Sequence, residues 1–390
     1  MTRRHLSLTS VATLCYLGTA ASAVLNGLPA IAAALHTARH LSDGEIGWIS
    51  AIYLAGLTFA SAVCPWVIRD LGTYRTIRLS VLAIAAGLGI LAAPAGAHLT
   101  YIGFVIAGLG AGGANGVVYV MFGEQDQERN LAAFYAFQWT SSLALLYFLP
   151  RVVATTHLAG AFLCLAAVNL ASLGIVRAIP TRMPMTATAA RQSGNEPASA
   201  GLLWLTLSGI AAVFACQGAI WTFLEIAPVQ RGLPDALAQA AAVVSPIFGL
   251  IGSVAIFFIG RRWGQRGPLI ASALVLGASL IAMLSLHPQL YAWGVYLFVL
   301  SFSAFSAYQF GIATDCDPSG FTAAWASTAS YGGFALGPVL AGVSSTAFGP
   351  NAVIWVGICT LVYAVITCAI PLHRMHPTRD SVSFPSRNAS

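Results

Sequence analysis

Apolar residues along this chain fall into long runs of about 20 to 28 positions, separated by short polar breaks. Such runs are too long for buried strands and carry almost no charge, so each predicts a helix long enough to cross a bilayer. The runs predict helices over 8–35, 45–67, 75–94, 98–122, 131–155, 158–178, 202–228, 235–259, 267–286, 289–313, 321–347 and 351–371. The longest polar stretch, 179–200, carries Pro180, Pro184, Gly194, Asn195 and Pro197 and predicts a linker. It divides the chain into halves of six helices, 1–178 and 201–372, with a polar tail over 373–390.

Composition supports a membrane setting. Of the 390 residues, 58% are hydrophobic and 8% charged, against about 25% charged in soluble domains. A backbone surrounded by lipid must satisfy its own polar groups, so the expected class is all-α. The 18 basic residues are all arginine, and the net charge is +6. With the N-terminus in the cytoplasm, fifteen arginines fall on the cytoplasmic side and only Arg39, Arg151 and Arg231 on the other. That bias places both termini inside and an even number of spans between them. It also explains the basic excess without nucleic acid. The apolar run after Arg3 and Arg4 continues past Ala21-Ser22-Ala23 to Leu35, so it reads as a span and not as a cleaved signal peptide. The seven cysteines lie singly in or beside apolar runs, with no metal or redox spacing, so no cofactor is expected.

The halves also match each other. Leu41-Ser42-Asp43 opens the second helix and Leu233-Pro234-Asp235 opens the eighth, 192 positions later. Arg69 and Gly72 recur as Arg261 and Gly264 at the same offset. A six-helix repeat is typical of transporters, with the substrate site near mid-membrane between the repeats.

At this point the chain resembles the major facilitator superfamily. That family's loop between helices 2 and 3 runs roughly G-x-x-x-D-R-x-G-R-R. The matching stretch here is Pro65-Trp66-Val67-Ile68-Arg69-Asp70-Leu71-Gly72-Thr73-Tyr74-Arg75, with Gly72 kept and acid and base in swapped order. The second copy, Arg261-Arg262-Trp263-Gly264-Gln265-Arg266, lacks the acid. The resemblance implies that Arg69, Asp70, Gly72, Arg75, Arg261, Arg262, Gly264 and Arg266 form a conformational latch; plain topology-setting charges are the other reading. The arginine that many proton-coupled members carry in helix 4 is Phe104 here. Gly333-x-x-x-Gly337-Pro338-x-x-x-Gly342 on the eleventh helix reads as a close-packing seam.

By the same resemblance, helices 1, 4, 7 and 10 line a cavity. The candidate substrate-binding residues are Asn26, Asn115, Tyr119, Gln217, Trp221, Tyr308 and Gln309, with Gln138 and Trp139 on helix 5 and Tyr331 on helix 11. Glu225 alone among the acids lies inside an apolar run. Such a residue is costly, about 2.5–3.5 kcal/mol at a helix centre on insertion scales, and usually faces a protein interior or cavity. Gln217, Trp221 and Glu225 are spaced to share one helix face. Glu225 reads as a proton carrier or as a cation site aided by Trp221. Counting about 33 Å along the helix from Leu203 leaves a third reading open, a structural pair with Arg151 or Arg231 at the far interface.

The implied function is secondary active transport of a small organic compound by alternating access. Coupling to protons is expected, with export favoured and uptake of an organic acid or metabolite as the alternative. A transporter-like sensor or scaffold is the rival from another class. The expected setting is the bacterial inner membrane, and a monomer is the default expectation, since the sequence carries no clear signal for an obligate oligomer. No nucleophile turn, phosphate loop or metal spacing points to an enzyme.

Overall fold

The computed structural model describes residues 7–94, 96–122, 127–176, 179, 200–259, 266–316 and 321–374. These form fourteen helices and, among the described residues, no strand. The first seven are α1 (Leu8–Ala21), α2 (Ala23–Asn26), α3 (Leu28–Arg39), α4 (Asp43–Leu71), α5 (Thr73–Ala92), α6 (Ala97–Phe122) and α7 (Gln127–Ile175). The second seven are α8 (Ala200–Thr222), α9 (Ile226–Gln230), α10 (Asp235–Ile259), α11 (Arg266–Met283), α12 (Pro288–Cys316), α13 (Phe321–Phe348) and α14 (Ala352–Arg374). Among the described residues, nine helices are long and apolar enough to cross a membrane. Large apolar side chains such as Leu274 (69%) and Ile281 (65%) are exposed on the bundle surface, as a lipid environment requires.

Each predicted apolar run has a helical counterpart, with two departures. The fifth and sixth runs are the two parts of α7, which meet at His157, whose φ of 59° lies in the left-handed region. One residue there turns the chain without a loop.

The two departures are interruptions in helices expected to be continuous, and each lies beside a proline. The first expected helix is divided at Ser22 and Gly27 into α1, α2 and α3. Pro29 has no N–H to offer the carbonyl of Leu25, four residues earlier, so that oxygen is left over. The seventh expected helix ends at Thr222, turns through 223–225 and resumes as α9. Pro228 likewise leaves the Leu224 carbonyl unbonded within its helix. Both freed oxygens find aromatic donors. Trp221 Nε1 donates to Leu25 O at 3.0 Å, and Tyr291 OH donates to Leu224 O at 3.0 Å.

Packing within the first half relies on glycine. Gly108 and Gly112 on α6 face the carbonyls of Tyr53 and Leu57 on α4, and a methyl group at either position would run into those oxygens. The four-residue spacing lets the backbones approach. Between the halves, α4 packs on α13 and α7 packs on α10. The Gly333–Gly342 seam faces both α8 and α4: Gly337 lies against Ala215, and Gly342 against Asp43 and Gly47.

Two arginines at equivalent places in the repeat tie down the ends. Arg39 donates to Leu91 O at 2.8 Å and to Thr100 Oγ1. Arg231, 192 positions later, donates to Met283 O at 2.7 Å and to the carbonyls of Leu284 and Ser285. In each half the arginine satisfies carbonyls at the end of a neighbouring helix that have no partner within it.

Candidate functional site

Polar side chains gather where α1–α2, α6 and α7 meet. Ser22, between α1 and α2, acts as a hub. Its hydroxyl donates to Asn115 Oδ1 (3.3 Å) and accepts from Asn115 Nδ2 (3.0 Å) and Gln138 Nε2 (3.1 Å). Asn26 Nδ2 donates to Gln138 Oε1 at 2.5 Å. Asn115, fully buried, also donates to Ala111 O at 3.0 Å. Three expected site residues, Asn26, Asn115 and Gln138, are thus brought together around a fourth group, Ser22.

Aromatic pairs extend this network across the seam between the halves. Trp139 on α7 and Trp221 on α8 meet edge to face with centroids 6.4 Å apart. Tyr119 on α6 and Tyr331 on α13 share a hydrogen bond of 2.7 Å. Together with the Trp221–Leu25 bond, these contacts join residues more than 80 positions apart into one aromatic and amide surface.

The remaining expected residues are placed differently. Gln309 donates from Nε2 to Cys368 Sγ at 3.2 Å, which turns it toward α14. Its Oε1 and the Oε1 of Gln217 are buried without a partner. Tyr308 is buried on α12. Arg69 and Asp70 pair at 3.1 Å, both about two-thirds exposed, and Gly72 follows with φ of 79°. Arg75 is exposed, as is Arg266 at the start of α11. Arg261, Arg262 and Gly264 lie outside the described residues, as do most of the 179–200 linker and the tail beyond 374.

Glu225 needs a correction. The sequence placed it on one continuous face with Gln217 and Trp221, but the interruption beside Pro228 puts it in the turn between α8 and α9. It is 4% exposed, and its Oε1 has no hydrogen-bond partner. The structural pair with Arg231 or Arg151 is not formed. Arg231 is turned to the end of α11, and Arg151 donates to Tyr147 O and lies 3.8 Å over the Tyr147 ring. An ionised Oε1 at this place lacks the donor its charge calls for.

A groove of about 460 Å³ opens elsewhere, between α13 and α14. It is lined by Leu340, Phe348 and Trp355 and by polar groups such as Asn351, and it opens on the outer surface of the bundle. The polar network and Glu225 are not part of it, so the chemistry places the candidate site at the seam.

Two helical bundles meeting along a seam of polar and aromatic groups make the architecture of a membrane transporter. A family model of the Major Facilitator Superfamily matches residues 8–317, and the chain belongs to that superfamily. It is therefore a multi-pass membrane protein and a secondary transporter of a small molecule, not an enzyme. Among solved structures, it is similar to a Glu-to-Gln mutant of the peptide transporter POT in complex with alafosfalin. The TM-score is 0.71 and the identity 16%, with 93% of this chain and 94% of that one covered. The same mutant without that compound gives a TM-score of 0.73 at the same identity and coverage. A comparison with curated protein sequences finds no match.

Proposed function

We propose that the chain moves a small, moderately apolar organic compound across the bacterial inner membrane by alternating access, coupled to protons and working as an exporter. The two rocking units are 1–178 and 201–372, joined by the linker 179–200 and followed by a cytoplasmic tail, 373–390. Twelve crossings, both termini in the cytoplasm and a monomeric state complete the reading. The arginine bias supports the orientation, with the Arg69 end of α4 inside and the Asp43 end outside.

Glu225 carries the coupling. Its buried, unpartnered Oε1 is met by a proton or by a cation, and the arginines at 151 and 231 are engaged elsewhere. The substrate class rests on Asn26, Asn115, Gln138, Trp139, Trp221, Tyr119 and Tyr331, which offer amides and aromatic planes without a formal charge. Gln217, with its orphaned oxygen, adds an acceptor, and Tyr308 and Gln309 support the wall from α12. The exposed Arg69–Asp70 pair, Gly72, Arg75, Arg266 and the repeat's Arg261, Arg262 and Gly264 act as the latch at the inner end. Their exposure lets the described charges exchange partners as the halves rock.

A thermal-shift screen of the purified protein against metabolites and antibiotics, at pH 6 and pH 8, tests the site. Bound ligand raises the melting temperature by mass action. The expected hit depends on pH in the native protein and loses that dependence in Glu225→Gln. A hit that stabilises both proteins alike at both pH values removes Glu225 from the coupling role. Gradient-driven flux of the hit in liposomes then separates a transporter from a ligand-binding sensor.

A further inference from the structure

At the end of the bundle opposite Arg69, the two halves are joined by a second polar contact, distinct from the seam network. It centres on Asp43, the first residue of α4, which is 9% exposed. Both of its carboxylate oxygens accept from the other half. Gln230 Nε2, at the end of α9, donates to Oδ1 at 2.9 Å, and Ser345 Oγ, near the end of α13, donates to Oδ2 at 2.6 Å. Next to it, the Gly44 N–H donates to Thr346 Oγ1 at 3.1 Å. His36 closes the group, with Nε2 3.1 Å from Gln230 Nε2 and 3.7 Å from Asp43 Oδ1.

The internal repeat shows that this arrangement is not a general property of the helix start. Asp235 is the counterpart of Asp43 in the second half, also the first residue of its helix. It is exposed, and it accepts at 3.0 Å from Gln239 on its own helix. One copy of the repeated aspartate is thus buried against the opposite half while the other faces out. The partners are also held ready. Gln230 directly precedes Arg231, and Asp43 follows Arg39 by four residues, so each lies beside an arginine that anchors its loop to a neighbouring helix end.

We propose that Asp43 is a positioning residue for transport: its carboxylate, clasped by Gln230 and Ser345, holds the two halves closed at this end and sets how often that end opens. The two donors of the clasp, Gln230 and Ser345, are neutral amide and hydroxyl groups, with no arginine among them. A charge-assisted hydrogen bond to a neutral donor is strong enough to bias an equilibrium by about tenfold. Yet water can replace it when the halves part, so the clasp can break in every cycle. The glycines beside it, Gly47 and Gly342, let the α4 and α13 backbones touch, so the contact is lost as soon as the helices separate. The proposal rests on the alternating-access reading for its role in transport, but the clasp itself is testable without a substrate.

The test measures distances by pulsed electron spin resonance in a cysteine-free background. One pair of labels at exposed positions, Ala38→Cys with Phe348→Cys, spans the clasp end; a second pair, Leu71→Cys with Ile270→Cys, spans the opposite end. The variants are Asp43→Asn, Ser345→Ala, and Asp235→Asn as the repeat control, each accepted only if it elutes as a folded monodisperse species. The expected result is a rise of about tenfold in the ratio of long to short distances at the clasp end for Asp43→Asn and Ser345→Ala, with none for Asp235→Asn. Unchanged distances in both clasp variants overturn the proposal, as does an equal change in Asp235→Asn. If the clasp end opens while the Leu71–Ile270 distances stay fixed, the clasp stands and the alternating-access reading fails.

Discussion

Replacing Ser22 with alanine removes the hub of the amide network and leaves a specific energetic signature. The hydroxyl makes three contacts, two with Asn115 and one with Gln138. After the change, Asn115 Nδ2 keeps Ala111 O, but Asn115 Oδ1 loses the hydroxyl and one Gln138 donor loses its acceptor. An orphaned buried group costs about 1–3 kcal/mol in soluble proteins. Interhelical bonds in membrane bundles average nearer 0.6 kcal/mol, because the unfolded reference also finds partners in the bilayer. For two affected groups the expected loss is about 1–2 kcal/mol. The cleaner quantity is the coupling between Ser22→Ala and Asn115→Ala, measured as a double-mutant cycle by unfolding in mixed micelles of mild detergent and dodecyl sulfate. Two direct bonds link the pair, so the expected coupling is about 1 kcal/mol, with the double mutant less destabilised than the sum of the singles. A coupling below about 0.3 kcal/mol, the usual error of additivity, would show that these bonds do not form in the folded bundle.

Further outcomes follow from features of the same kind. Arg231→Lys should lower the melting temperature nearly as much as Arg231→Ala, because one ammonium does not reproduce the guanidinium fork over three carbonyls; full rescue by lysine in a thermal-shift assay would refute the cap. Gly112→Val should drive the branched side chain into the Leu57 carbonyl and separate α4 from α6. A normal monodisperse peak in size-exclusion chromatography would contradict that packing. Tyr331→Phe removes the hydroxyl bond to Tyr119 across the seam, a change of about 1 kcal/mol or fivefold. It should alter ligand affinity severalfold with little change in melting temperature, and an unchanged affinity would place the pair outside the site.

Much of this was legible in the residues. The apolar runs located the helices because lipid leaves few alternatives to a helix, and α10 follows its predicted 235–259 run to the residue. Asn26, Asn115 and Gln138 stood out as polar groups in apolar helices, and they do meet. What stayed hidden depended on distant pairing. Asp43 read as an ordinary helix-start acid, and nothing local revealed that Ser345, 302 positions away, would close on it. Glu225 was found by its isolation, but its helix face was misjudged because Pro228 was read as part of a continuous helix. The hub role of Ser22 stayed hidden for the same reason as the Asp43 contact, since it depends on Asn115 and Gln138, 93 and 116 positions away.

The oxygens freed by Pro29 and Pro228 carry one more consequence, for how relatives of this chain should be compared. The acceptor for Trp221 is the backbone of Leu25, so the identity of residue 25 is nearly irrelevant to that cross-bundle bond. Any residue there supplies the same carbonyl, provided a proline stands four positions later. Covariation between positions 25 and 221 would therefore be weak although they touch, whereas positions 29 and 221 should vary together although neither side chain needs to meet the other. A contact map inferred from sequence variation would assign the bond to the wrong residue, one turn along the helix.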